Sequence, residues 1–408
     1  MIQLNFKNIS ILSLIFFILL FLRRGMQLLH PHIWNEDGPF NMTSFILHGW
    51  HNLYEPTQGY LILIPKLITN LSMSISFIYY PEVSTYLTWI FTIGLGLLVV
   101  YAPTMLKYPI LMAIFIFLIP TNAEVFGLPL FTLWFSAILL FLVALWKPRK
   151  KQIIKNTLLF FGGFSSPTIV IIIPVQIFRM IMLPNKKEEF LTLLLSITIA
   201  VIQLSFIFSR SIVGTPIQPD FVFFQSIVHK FFAFYYLGTF SLGTIMLWIG
   251  GVYLIVLIAT YMFKNRKDIY FQILVYLLFA TIALSVSRFS PLQINPIFGG
   301  GARYFFLPYI LLSWTLIYML AKNKWYEMAI LPILTLSIIT ALQGFCRTQD
   351  DLNWKKHIDL CQKAKGAYGI PIQNDGQKQG AWHMVLDAKI CKRYIENDIF
   401  ELPKTREK

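Results

Sequence analysis

Glu36 and Asp37 stand side by side in Trp34-Asn35-Glu36-Asp37-Gly38-Pro39, just after an apolar stretch at residues 9–29. Carboxylates suit proton abstraction from a hydroxyl. Near lipid an ionised carboxylate is costly, so the pair belongs where water and a substrate can reach it. A competing reading is local: acids favour helix N-termini, and the two would then only cap the next short helix.

Other polar side chains collect in segments of the same kind. Residues 29–80 also hold His48, His51, Glu55 and Lys66, with Trp34, Trp50 and Tyr54; Glu124 lies in a second segment, Arg210 and Asp220 in a third, and Arg288 with Gly299-Gly300-Gly301-Ala302-Arg303-Tyr304 in a fourth. Arginine forks fit phosphate oxygens, and aromatic faces offer apolar surface to a sugar ring. Together they describe a site for a phosphate-linked donor and a polyol acceptor. Plainer readings stand beside this one. Arg23 and Arg24 snorkel from a helix end to the headgroups, Arg303 anchors its helix, and Glu124 caps one. His48 and His51 lack metal-ligand spacing, and no metal site is expected from them. The glycine run has no following G-K-[ST], and G-x-S-x-G is absent.

The elements that position these residues must lie in a bilayer. The 408 residues are 56% hydrophobic and 13% charged, with mean hydropathy +0.64. A soluble domain carries about 25% charged residues. The first apolar segment has no A-x-A-like cleavage site and reads as a retained helix. The net charge of +15 lies largely in short loops, where it reports orientation and contact with anionic lipid rather than nucleic acid. Lys147-Pro148-Arg149-Lys150-Lys151 with Lys155, Lys186-Lys187, Lys264-Asn265-Arg266-Lys267 and Lys322-Asn323-Lys324 are expected to face the cytoplasm.

Parity then places the amino terminus inside and the acidic segments outside, with about ten or eleven crossings. Residues 60–80, interrupted by Pro65-Lys66, are expected to lie on the outer interface. Residues 156–183, broken by Gly162-Gly163, Ser165-Ser166-Pro167 and Pro174, read as two short helices in a hairpin or re-entrant element. The expected fold is an all-α polytopic membrane bundle at 1–344, with its first outer loop at 30–82 and a small outer tail at 345–408. Cys346, Cys361 and Cys391 all lie in that tail and allow one disulfide if it lies outside the cytoplasm.

The placement of Glu36-Asp37 after one helix and before interfacial helices resembles the acidic signature of the GT-C glycosyltransferases. The string from Trp34 to Pro39 through Gly59-Tyr60-Leu61 to Ile64-Pro65-Lys66 is similar to a bacterial subgroup of GT-C-like proteins. So are Glu124-Val125-Phe126 followed by Leu133-Trp134, the helix opening Arg303-Tyr304-Phe305-Phe306-Leu307-Pro308, and the tail strings Gly369-Ile370-Pro371-Ile372 and Trp382-His383-Met384-Val385-Leu386. In size and topology the chain resembles the phage-encoded serotype-converting O-antigen glucosyltransferases.

The resemblance implies a bacterial inner-membrane enzyme that moves a hexose such as glucose from undecaprenyl phosphate to a lipid-linked or surface glycan on the periplasmic side. It implies Asp37 as general base or acceptor-orienting carboxylate and Glu36 as its partner, or as ligand to a Mg or Mn ion if a divalent cation takes part. Glu55, Lys66, Glu124, Arg210, Arg288, Arg303 and Tyr304 are the expected substrate-binding residues. A flippase of lipid-linked glycans and a membrane O-acyltransferase built on His229 are the rival readings. The first should carry charges midway along its helices.

Overall fold

The computed structural model describes residues 5–209, 219–297, 301–321, 324–349, 351–373 and 382–402. The chain opens with α1 (Phe6–Leu29), whose first turn is capped by the Asn5 side chain accepting from the Lys7 amide. The acidic segment forms one π-helical turn, Asp37–Met42, that leads into α2 (Thr43–His48) and a 3₁₀ turn at Gly49–Tyr54. α3 (Leu63–Ile75) has 13 residues. At about 1.5 Å per residue it is too short to span an apolar core of about 30 Å.

α4 (Tyr80–Tyr101) starts on Pro81, which suits a first helical position. α5 (Pro109–Phe117) and α6 (Thr132–Ala144) follow as shorter apolar helices. α7 (Gln152–Ser165) and α8 (Ile169–Met182) form the expected hairpin of two short arms, and α9 (Lys186–Phe208) runs beside them. α10 (Phe221–Ile227) passes through a π-helical turn into α11 (Phe234–Leu237). α12 (Thr244–Lys264), α13 (Ile269–Arg288), α14 (Phe306–Leu320) and α15 (Lys324–Leu342) complete the bundle.

Among the described residues, 7 helical segments are long and apolar enough to cross a membrane: α1, α4, α9, α12, α13, α15 and Ala302–Leu320. This is the architecture of a polytopic helical membrane protein. The count falls short of ten or eleven because α5, α6, α7 and α8 are short. Every residue of α14 is buried. A helix that is apolar on all sides needs neighbours on all sides, and α14 is the axis of the bundle.

The helix ends sort into two poles. At one, Thr104 bridges Trp146, Lys147 N–H donates to Pro103 O (2.9 Å), and the Tyr318 hydroxyl reaches Asp268 (3.0 Å) beneath the Lys107 ammonium. There Glu189 of α9 accepts from Lys155 of α7 (3.0 Å) and Arg179 of α8 (2.8 Å). This is the basic pole. At the other, the Cys346 amide donates to Leu22 O (2.7 Å), Asn122 N–H to Pro296 O (3.2 Å), and Arg303 pairs with Glu124. The acidic segments meet at this second pole.

The tail departs from an all-α reading. After α16 (Trp354–Lys363), β1 (Ala367–Ile372) pairs antiparallel with β2 (Trp382–Asp387), with Ala367 opposite Asp387 and Ile372 opposite Trp382, before α17 (Ala388–Glu396). Period-two burial drives the hairpin: Ile370, Ile372, Met384 and Leu386 face inward. A Cys361–Cys391 disulfide ties α16 to α17, leaving Cys346 free and exposed.

Nor is the tail a separate appendage. Its inner face shares one apolar core with Ile33, Met42, Phe45, Phe77 and Ile78 of the first loop. The Asp398 carboxylate accepts from the Ser76 hydroxyl (3.0 Å) and the Phe77 and Ile78 amides (2.7 and 2.8 Å). Gln373 exchanges backbone hydrogen bonds with Ile33 (3.0 Å) and Asn35 (2.8 Å). The chain boundary at 344/345 is therefore not a packing boundary.

Candidate functional site

At the acidic pole a cavity of about 600 Å³ opens between the Glu36 turn, the N-terminus of α6, the tip of the α7–α8 hairpin, the C-termini of α9 and α13, and the 3₁₀ turn Ala302–Phe305. Glu36 lines it on one side, and Arg288 and Arg303 line it as well. Tyr60, Trp134 and Tyr304 supply aromatic surface, and Val170, Leu204 and Ile207 carry the lining on into apolar territory.

Local structure places each group. Arg288 closes the last turn of α13, where a cation complements the helix dipole. Arg303 follows Gly301, whose φ of +91° is left-handed and favours glycine. Arg303 Nη1 donates to Glu124 Oε1 at 2.5 Å. Tyr304 stacks on Phe289 (5.6 Å between centroids) and takes the edge of Trp134 (5.8 Å).

The two adjacent acids face different surroundings. Burial raises the Glu36 carboxyl above its ordinary range, and the Arg303 charge opposes that rise. Asp37 is only 1% exposed and is not part of the cavity lining. Its Oδ1 accepts from Asn41 Nδ2 at 3.2 Å, while Oδ2 has no partner among the described residues. Burial pushes its carboxyl up to about 7.

The remaining expected site residues divide. Glu124 is buried behind Arg303. Glu55 pairs with His48 (2.7 Å) and Ser44 (2.7 Å), and Lys66 donates to the carbonyls of Asn52 (2.6 Å) and Glu55 (2.7 Å). Both hold the Gly49–Tyr54 turn and do not line the cavity. Arg210 lies outside the described residues. Asp220 caps α10 through the Phe223 amide (2.8 Å).

Arg23 and Arg24 do not snorkel. Both are buried, and Arg23 donates to the carbonyls of Phe117 (2.8 Å), Ile119 and Thr121 (2.9 Å) at the end of α5.

The hairpin tip belongs to the site without having been singled out in the sequence. Ser166 and Thr168 line the cavity and hydrogen-bond each other (2.7 Å). Gln203 of α9 locks the tip by donating to Gly163 O (2.9 Å) and to Leu61 O (3.1 Å) while accepting from Leu61 N (2.9 Å). The sequence signal was the helix break at Ser165-Ser166-Pro167; Gln203 had none.

Among the described residues no group of three or more His, Cys, Asp or Glu gathers as metal ligands. Glu36 is the one carboxylate in the described lining and sits with two guanidiniums, which disfavours a dication there. Searches among family models, curated proteins and solved structures give no match to the chain.

Proposed function

We propose that this chain is a GT-C-type membrane glycosyltransferase that moves a hexose from a polyprenyl-phosphate donor to a hydroxyl of a surface glycan on the extracytoplasmic side. The observation that carries the reading is the joint cavity: a carboxylate, two arginines, five aromatics and an apolar flank in one space at the acidic pole. Arginines at its mouth suit the donor phosphate, aromatic faces suit the hexose, and the apolar flank of α8 and α9 suits a prenyl chain.

In this reading the acceptor oxygen attacks the anomeric carbon of the donor hexose. The bond from that carbon to the phosphate oxygen breaks, and polyprenyl phosphate leaves with the electron pair. Arg288 and Arg303 hold the negative charge of the leaving group. Glu36 takes the acceptor proton, because it is the carboxylate that faces the cavity. Asp37 stands behind it with its carboxyl pushed up to about 7, so near neutral pH it carries only part of a negative charge beside Glu36.

The flippase reading loses support because the charged side chains of the long helices lie near their ends. His229, the candidate for an O-acyltransferase, packs against Trp248 (5.4 Å) outside the cavity lining.

The test is transfer itself. Purified protein is incubated with radiolabelled polyprenyl-phosphate hexoses and O-antigen acceptor, each sugar in turn. Transfer of one hexose, abolished in Glu36→Gln, is expected. Release of no sugar to any acceptor overturns the proposal.

A further inference from the structure

Glu124 makes its contribution from behind the cavity wall. Its side chain is 1% exposed, against 26% for Arg303. Oε1 accepts from Arg303 Nη1 at 2.5 Å, and Oε2 has no partner among the described residues. The backbone that carries Glu124 is itself fixed. Arg24 Nη1 donates to the carbonyls of Ala123 (3.1 Å) and Glu124 (3.0 Å), and the Asn122 side chain accepts from the Glu124 amide (3.2 Å).

Arg303 has five N–H donors, and Glu124 engages one edge of the fork. The rest is left for the cavity. Apart from Glu124, the described contacts of the guanidinium are ring faces, Phe131 at 5.8 Å and Tyr304 at 5.7 Å. Ring contacts of that kind are weak and do not fix direction. The other anion that acts on Arg303 is Glu36, in the same lining.

We infer that Glu124 is a positioning residue that holds the Arg303 guanidinium on the cavity wall, away from Glu36 and free to receive a phosphate. The inference rests on the transferase reading. Without the carboxylate at 124, the guanidinium turns to Glu36. That one contact withdraws both the anion clamp and the proton acceptor.

The experiment measures binding of farnesyl phosphate to the purified full chain for wild type, Glu124→Gln and Glu124→Asp, with a thermal melt of each. Glu124→Gln keeps the shape and removes the charge, and its affinity is expected to fall by about tenfold or more, or about 1.4 kcal/mol. Glu124→Asp keeps the charge one methylene further back, and its affinity is expected to fall less. Wild-type affinity in the folded fraction of Glu124→Gln, with only a lowered melting temperature, shows a merely structural role and overturns the positioning assignment, as does a loss in Glu124→Asp as large as that in Glu124→Gln. No binding by wild type overturns the transferase reading, and the positioning role falls with it.

Discussion

At the scale of single residues, the neighbours Glu36 and Asp37 have different surroundings because a helical turn sends adjacent side chains in different directions. Glu36 reaches the cavity, and Asp37 turns back toward Asn41. Replacing Glu36 by Gln is expected to cut turnover by about 10²–10⁴-fold while insertion stays normal; near-wild-type turnover would remove Glu36 from the chemistry. Asp37 makes a different prediction. Burial lifts its carboxyl from 3.8 to about 7, so between those values the folded chain keeps a proton that the unfolded chain has lost. Stability therefore falls as pH rises through that window, by about 4 kcal/mol at most, and levels off above it. Asp37→Asn mimics the neutral acid and should flatten the loss. Melting temperatures at pH 4.5 and pH 8 check this: equal drops in wild type and variant would show that the burial of Asp37 is not their source. The acidic pair was legible in the sequence, because two carboxylates beside an apolar helix are costly. Which of them faces the cavity was not, because it depends on a π-helical turn whose six residues, Asp37–Met42, carry no periodic signal.

At the scale of elements, apolar runs and charge breaks made the long helices and the α7–α8 hairpin readable. The β-hairpin of the tail was not, since strands of 6 residues with glycine and proline in β1 compete poorly with the flanking helical patterns. Nor was its docking, which depends on contacts between residues more than 300 positions apart. Arg23 illustrates the same limit. Its position at a helix end suggested a headgroup anchor, and only the fold brings it under three carbonyls from the end of α5. The docking predicts a local effect. Asp398→Ala removes the acceptor of three hydrogen bonds, and each donor left unmet in a buried setting costs about 1–3 kcal/mol. Because the tail pairs with residues 33–35, amide exchange is expected to rise at 33–42 and 76–80 and to stay unchanged in α14. Exchange that rises only in the tail would show that the tail does not hold the acidic turn.

At the scale of the whole molecule, the two poles carry opposite roles. The lysine-rich connections gather at one, with Lys155, Arg179 and Glu189 paired beneath them. The cavity, the acidic turn and the disulfide-bonded tail gather at the other. Positive charge is retained on the cytoplasmic side of a membrane, and disulfides persist outside it. The proposed function takes both rules to mean a cavity that faces outward, where a lipid-linked sugar and a surface glycan would meet. The free cysteine makes this testable with the native chain. Cys346 is exposed and lies at the cavity pole, whereas Cys361 and Cys391 are buried in their bond. A membrane-impermeant maleimide should therefore label Cys346 in intact spheroplasts. In a Cys346→Ser background, Lys150→Cys places a thiol on an exposed residue of the basic pole, and it should react only after the membrane is permeabilised. The reverse pattern would put the cavity in the cytoplasm. Glu36, Arg288 and Arg303 would then face soluble nucleotide-linked donors, and transfer from a polyprenyl phosphate on the outer side would be withdrawn.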